Sequence, residues 1–490
     1  MNFYLLLSFF LFSNTLIIFT QEKNDLIFKE IEGNELQEDL TQIRRTILQS
    51  HPNPFVYVGK GAWDSTYLDL MQYFEEPRTI FDFAYRTSDW LNQLKDSHVG
   101  ISLMDLLYNK RSENSWLHFK VARIDNKFYA EFFTKNSIPF GNEIIEVNSI
   151  TIDTLFKQSL IFSLQEGNSI EAREQYATEQ IHILYNLLFA TSKNVTKIPV
   201  KHVSPKGDTL YTYVETIKLN GSRKAINDFF NTPTKEVEYK VDSMNKLAVL
   251  KINSFYPADQ KKYYQAIDHF FDTISNLRIT KLLIDIRSNS GGYFSSVNYL
   301  FNYIDTSQVP RMKNFIAKRS KFDAFGSSNN LFIKLIYKLQ ETLIPSQENK
   351  NNYRLYNLPF GSLDTIREIH VTRDKFLDKK YLGKCYLAIN GTSISASVDC
   401  ASWFRQINRG LILGEPCMGP ITGTCGNPIS FVLKNTGVDV LTSTMRSYTK
   451  PDFIIQKEAI IPDVLLKNTI SNFRQKIDVI YEYIIKNETH

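Results

Sequence analysis

The sequence predicts a multidomain α/β protein. Two observations carry this. The 490 residues exceed what one hydrophobic core usually covers. The pattern also changes twice along the chain, from mainly helical to short clustered strands, then to apolar strands alternating with amphipathic helices. That last alternation is the signature of a sheet with sequential β-α units.

Each part follows from its residues. Phe3 to Phe19 is an uncharged apolar run, and a polar "TQEKND" follows it, as in a secretory leader cleaved near Thr20 or Gln21. Residues 1–21 are therefore expected to be a signal peptide and the protein extracytoplasmic, periplasmic or secreted. An uncleaved leader would be its one membrane contact, although the run is short for a span. Residues 22–112 read as a helical domain. Asn34 is placed to cap a helix with Leu36, Leu40, Ile43 and Ile47 on one face. "SHPNPF" breaks the pattern, and helices follow over Trp63–Phe74 and Thr79–Leu94. "LKDSHVGISL" then alternates at Val99, Ile101 and Leu103, as a strand does.

Residues 113–225 read as a β-rich module with a helical insertion around Ile170–Leu188, and a linker near "NGSRKAINDFFNTPTKE" ends it. Residues 236–470 form the α/β core. "KLLIDI" and "CYLAI" are nearly unbroken apolar strands, as expected of a sheet covered on both faces. Asp305 to about Lys380 interrupts the core as a long irregular insertion, with one helix-like piece near Leu331–Leu343. Residues 471–490 read as a terminal helix.

Composition excludes some functions. A net charge of +5 with scattered lysines offers no basic patch for nucleic acid. Cys385, Cys400, Cys417 and Cys425 have no zinc-like spacing and no histidine among them. In an exported protein they permit disulfides, in any of three pairings. Cys417 and Cys425, flanking a glycine-rich turn, are the better candidates. Free thiols are the alternative for Cys385 and Cys400.

Two strand ends carry unusual residues. "DIRSNSGG", Asp285–Gly292, follows one buried strand, and its glycines let a backbone approach a ligand and present free N–H groups. "INGTSISAS" follows another and sets Thr392, Ser393, Ser395 and Ser397 ahead of a helix. Those hydroxyls serve either as helix caps or as a nucleophile facing an oxyanion hole from the other turn. Strand ends of an α/β sheet gather in one crevice, so the two turns are expected to meet. Asp285 and Arg287 are expected to pair and fix the glycine turn.

"LKDSHVGI", "LLIDIRSNSGG", "INGTSISAS" and "LILGEPCMG", in that order, resemble the tail-specific, or C-terminal processing, serine peptidases. "IIPD" (Ile460–Asp463) resembles the signature near the end of their core. The resemblance spans most of the chain. It implies a ClpP/crotonase-like catalytic core and a PDZ-like module in which "GNEIIEVNSITI" sits. It further implies Ser395, opening "SASV", as nucleophile, with Ser393 and Ser397 as fallbacks. The oxyanion donors would be Ala396 and the Gly291–Gly292 turn. Val398, with Asp399 beside it, replaces the family glutamate, and Pro420 stands where the processing branch has its lysine base. The tricorn-like branch takes its base from a "DSH" stretch. By that resemblance His98 is the base, Ser97 its neighbour, and Gln456 the residue that orients it, with Glu458 two residues on.

The resemblance thus implies an exported serine endopeptidase acting on polypeptides, without metal or organic cofactor and of open oligomeric state. Pro420, Val398 and Gln456 motivate a second reading, a catalytically weakened or inactive peptide-binding homologue. A crotonase-like acyl-CoA enzyme is the third, and the signal-like N-terminus argues against it.

Overall fold

A computed structural model describes residues 26–487 apart from 109–113, 191–194, 220–221, 231–234, 308–310, 321–334, 337, 340–341, 344–346, 371–373 and 450–454. The expected leader and most of the piece near Leu331–Leu343 lie outside the described residues. No described helix is long and apolar enough to cross a membrane.

The N-terminal region is helical, as its periodicity requires. Helix Gly33–Ser50 buries Leu36, Leu40, Ile43 and Ile47 completely, each worth about 1.5–3 kcal/mol relative to exposure. Helix Lys60–Tyr73 and helix Ile80–Asn92 meet through Trp63 and Trp90, stacked 4.5 Å apart. Thr79 caps the latter helix by accepting the Asp82 N–H. This region is not an appendage. Its core is continuous with Phe431, Leu433, Val438 and Val440 of the C-terminal half. Asp39, buried, accepts the N–H groups of Asn435 and Thr436.

The strand expected in "LKDSHVGISL" is reduced to Gly100–Ile101. Among the described residues it pairs only with Val440 and Leu441. Leu103 instead opens a helix, Leu103–Tyr108, because Ser102 Oγ takes the Asp105 N–H and ends the extended run.

The β-rich module is one sheet, in the order Thr209–Glu215, Lys197–Val203, Glu143–Val147, Lys127–Phe133 and Phe119–Ile124, with Ile150–Thr151 paired to Glu143–Val147. Helices Ile152–Ile161 and Ile170–Phe189 cover it. The expected linker contains a helix, Arg223–Phe230, because Ile226 and Phe230 have a partner: Phe230 packs edge-on to Trp116.

The core sheet runs Val237–Asp242, Leu247–Ile252, Lys281–Asp285, Lys384–Ile389, Gly410–Gly414 and Val464–Leu465. The first pair is antiparallel and the rest are parallel. Strand Lys384–Ile389 shows why its sequence is continuously apolar. Cys385, Leu387 and Ile389 face helices Gln260–Asn276, Phe294–Ile304 and Ala396–Gln406. Tyr386 and Ala388 face Ile480 and Ile484 of helix Val479–Lys486. The expected terminal helix is broken into Ile470–Arg474 and Val479–Lys486, the latter capped by Asp478.

The insertion is less irregular than its composition suggested. It contributes strands Arg311–Lys318 and Leu363–His370 to a second sheet, beside Asp439–Tyr448 and Cys425–Val432. The hydrophobic pattern did not mark them for two different reasons: the first strand buries polar residues, Asn314 and an Arg311 paired with Asp305, and the second exposes Leu363, Thr365 and Arg367. The expected Cys417–Cys425 bridge is absent: all four cysteines are buried free thiols. Cys425 Sγ receives an Arg446 N–H at 3.2 Å, whereas Cys417 packs in the core sheet's own cluster.

Candidate active site

The parallel strands Lys281–Asp285 and Lys384–Ile389 are neighbours in register, so the turns that follow them are too. Asp285 and Arg287 pair at 2.7 Å, as the sequence suggested, and Asp478 holds the same guanidinium. Asn289 organises the glycine turn, donating to Ile252 O and accepting the Gly291 N–H. Gly291 has φ +103°, and a Cβ there would lie 2.8 Å from both Ile394 O and Ser395 Cβ. Only glycine lets the two turns approach this closely.

In the second turn the hydroxyls have separate tasks. Ser393 Oγ accepts from Asn390 N–H and donates to Ile286 O. Ser397 Oγ donates to Asn289 O. Both are fully buried and engaged in tying the turns together. Ser395 is different. It stands at the N-cap position of helix Ala396–Gln406 with φ 56°, ψ −118°, and its side chain makes no capping bond. Such a backbone costs about 1–3 kcal/mol and persists where the fold enforces it. A sharp strand-to-helix turn of this kind lifts a hydroxyl clear of the sheet edge.

The hydroxyl meets His98. Its Oγ lies 3.2 Å from His98 Nε2, across a separation of 297 residues. Around Ser395 the N–H groups of Ala396 and Gly292 have no acceptor among the described residues. The Gly291 N–H, expected as a donor, is instead consumed by Asn289. Gly291 contributes closeness, and Gly292 is the free donor of the pair.

The far side of the imidazole is a buried charge network. His98 Nδ1 is 3.1 Å from Ser97 Oγ and 3.7 Å from Asp96 Oδ1. Asp96 Oδ1 accepts the His98 backbone N–H at 2.7 Å, and Oδ2 is 2.6 Å from His51 Nε2. His51 Nδ1 accepts from Asn53 N–H, so Nε2 carries the proton toward Asp96. Ser97 donates both its N–H and its hydroxyl to Glu166 Oε2, each at 3.1 Å. Arg446 Nη1 lies 3.5 Å from Glu166 Oε1 and Nη2 donates to Tyr57.

The electrostatics follow from these contacts. Burial alone would lower the His98 pKa, but Asp96, with Glu166 and Asp399 behind it, raises it above its ordinary value. Burial would raise Asp96, but hydrogen bonds from His51 and His98 hold it well below the usual carboxylate range. For Glu166, burial and the Asp96 charge win over Arg446 and push it up to about 7.

Gln456 does not reach the ring. It is exposed, and its backbone N–H donates to Thr422 Oγ1. Glu458 is also exposed and accepts from Asn168 Nδ2. This segment instead braces the loop that bears Glu166: Asn168 N–H donates to Lys457 O. Sequence reasoning missed Asp96, Glu166, His51 and Arg446. Asp96 had a local signal, being the first residue of "DSH". Glu166 had none, since its role exists only once the β-rich module docks.

His51, Asp96 and Cys425 lie within 4.8 Å of one another, as do Asp96, His98 and Glu166. These donors are already paired within the protein, and the Arg446 guanidinium touches both Cys425 and Glu166. A cation there would meet a positive charge, so the cluster is a hydrogen-bonded network in character.

Residues 246–466 match the model of peptidase family S41, and the core is that of a serine-type peptidase. No curated protein sequence matches the chain. Among solved structures it is similar to mature CPAF, with TM-score 0.59 and 14% identity over 94% of this chain and 99% of that one. A mutant form of CPAF aligns with TM-score 0.63 and 13% identity, covering 93% of this chain and 96% of that chain. Mature CPAF complexed with lactacystin gives 0.58 and 13%, covering 93% and 97%. At these identities the likeness is one of fold.

Proposed function

We propose that the chain is a serine endopeptidase in which Ser395 is the nucleophile and His98 the general base. The observation that carries this is the 3.2 Å contact between His98 Nε2 and Ser395 Oγ, made where the Ser395 side chain caps nothing. A polypeptide lies extended in the crevice. His98 Nε2 takes the Ser395 proton as Oγ attacks the scissile carbonyl carbon. The oxyanion is held by the N–H groups of Ala396 and Gly292. The imidazolium gives its proton to the leaving amine, and water, deprotonated by the same His98, hydrolyses the ester. No lysine is needed, which accommodates Pro420. Export follows from the apolar leader, and the N-terminal sequence of the secreted protein tests it.

A fluorophosphonate probe tests the chemistry. It is expected to label the wild type, and Ser395→Ala or His98→Ala is expected to abolish labelling. An unlabelled wild type would favour the peptide-binding homologue, the reading that Val398, Pro420 and Gln456 motivate.

A further inference from the structure

We infer that Glu166 is the positioning carboxylate of this site, holding the His98 imidazole through the Ser97 hydroxyl in the place expected of Gln456. The inference rests on the Ser395–His98 reading. Hydrogen-bond direction carries it. Glu166 Oε2, when ionised, only accepts, so the Ser97 hydroxyl proton is committed to it at 3.1 Å. The Ser97 Oγ lone pairs are then left facing His98 Nδ1, also at 3.1 Å. Nδ1 must carry the ring proton, and Nε2 presents its lone pair to Ser395. One carboxylate thus sets both the tautomer and the ring plane from a distance of two bonds.

Asp96 cannot do the same. Its Oδ1 is 3.7 Å from Nδ1 and takes the His98 backbone N–H, while Oδ2 is occupied by His51. It supplies charge and leaves orientation to Ser97. The charged and titratable groups facing the pair are Asp96, His51, Asp399, Arg446, Tyr57 and Cys425.

Glu166 is held firmly. The Gly167 N–H donates to Lys95 O and the Asn168 N–H to Lys457 O. Lys95 Nζ donates to Asn168 Oδ1 at 2.8 Å. Gly167 has φ +61°, and a Cβ there would lie 2.5 Å from Lys457 O. The segment around Gln456 therefore acts on the ring indirectly, by clamping the loop that carries the carboxylate. The site then draws on three regions of the chain: the helical region, the β-rich module and the core.

The test uses the full chain and the pH-dependent rate of fluorophosphonate labelling. Glu166→Gln is expected to slow the maximal rate about 10- to 100-fold, with half-saturation by the probe unchanged. The acid limb of its pH profile should move to lower pH, because a negative charge near His98 is gone. Ser97→Ala should slow labelling similarly without moving the limb, and the double variant should be no slower than Glu166→Gln alone. Glu166→Asp should recover part of the rate. Wild-type rate and limb in Glu166→Gln would overturn the inference. If Glu166→Gln fails to fold, a wild-type rate in Ser97→Ala overturns it. Labelling that survives His98→Ala would instead sink the Ser395–His98 reading beneath it.

Discussion

Replacing Gly291 by alanine separates the oxyanion geometry from the rest of the fold. The new Cβ would sit 2.8 Å from Ile394 O, 2.8 Å from Ser395 Cβ and 3.0 Å from Ala396 N. Carbon contacts prefer about 3.5–4.0 Å. Ile394 N–H is bonded to Asn289 O of the glycine turn, and Ile394 O accepts from Ser397 N–H. The added methyl is therefore admitted only by spreading the two turns, which displaces the Gly292 N–H relative to Ser395. The φ of +103° adds strain of about 1–3 kcal/mol for any residue with a Cβ. Losing one oxyanion donor typically costs about 10²–10³ in rate. Gly291→Ala is expected to lower unfolding free energy in urea by about 1–3 kcal/mol and labelling by about 100-fold or more. Gly207→Ala is the control. Its φ is +94° but nothing lies within 4 Å of the added Cβ, so it should lose stability and keep the labelling rate. A wild-type labelling rate in Gly291→Ala would refute the proposed oxyanion site.

Other expectations follow from the same network. Labelling requires neutral His98, whose pKa lies above its ordinary value, so the rate should fall as pH drops through a limb above about 6.5; a limb below that contradicts the assigned electrostatics. Arg446→Met should cost about 3–5 kcal/mol in urea unfolding near pH 8, because it strands the Glu166 carboxylate. Glu166 is raised to about 7 in the folded state, so folding favours its proton and its contribution to stability is lost as pH rises toward that value. The Arg446→Met penalty should accordingly shrink near pH 5, and an equal penalty at both pH values would count against the charge network. The four cysteines, being buried free thiols, should resist a thiol reagent when folded and all react in denaturant without reductant; fewer than four would reveal a disulfide.

Much of the fold was legible because burial leaves local traces. Leu36, Leu40, Ile43 and Ile47 mark a helix by their spacing alone, and "CYLAI" marks a strand covered on both faces. The two turns of the site were legible for the same reason: a Ser-rich stretch and a Gly pair each end an apolar strand. The strands Arg311–Lys318 and Leu363–His370 were not legible, since the first buries the polar Arg311 and Asn314 and the second, exposed at Leu363, Thr365 and Arg367, needs no continuous apolar run. Gln456 was expected at the ring from a resemblance in order along the chain, which does not specify what the β-rich module brings in; the structure leaves it exposed, with its N–H on Thr422 Oγ1.

What the sequence determined by itself is the set of local conformations: amphipathic helices, apolar strands and a glycine turn. These depend on backbone sterics and nearest-neighbour pattern. Only the tertiary structure decided which groups meet. His98 and Ser395 stand 297 residues apart, and Glu166 belongs to neither of their segments. Their union, and the shifts in their protonation, come from burying several charges together, an effect of three-dimensional proximity and low dielectric.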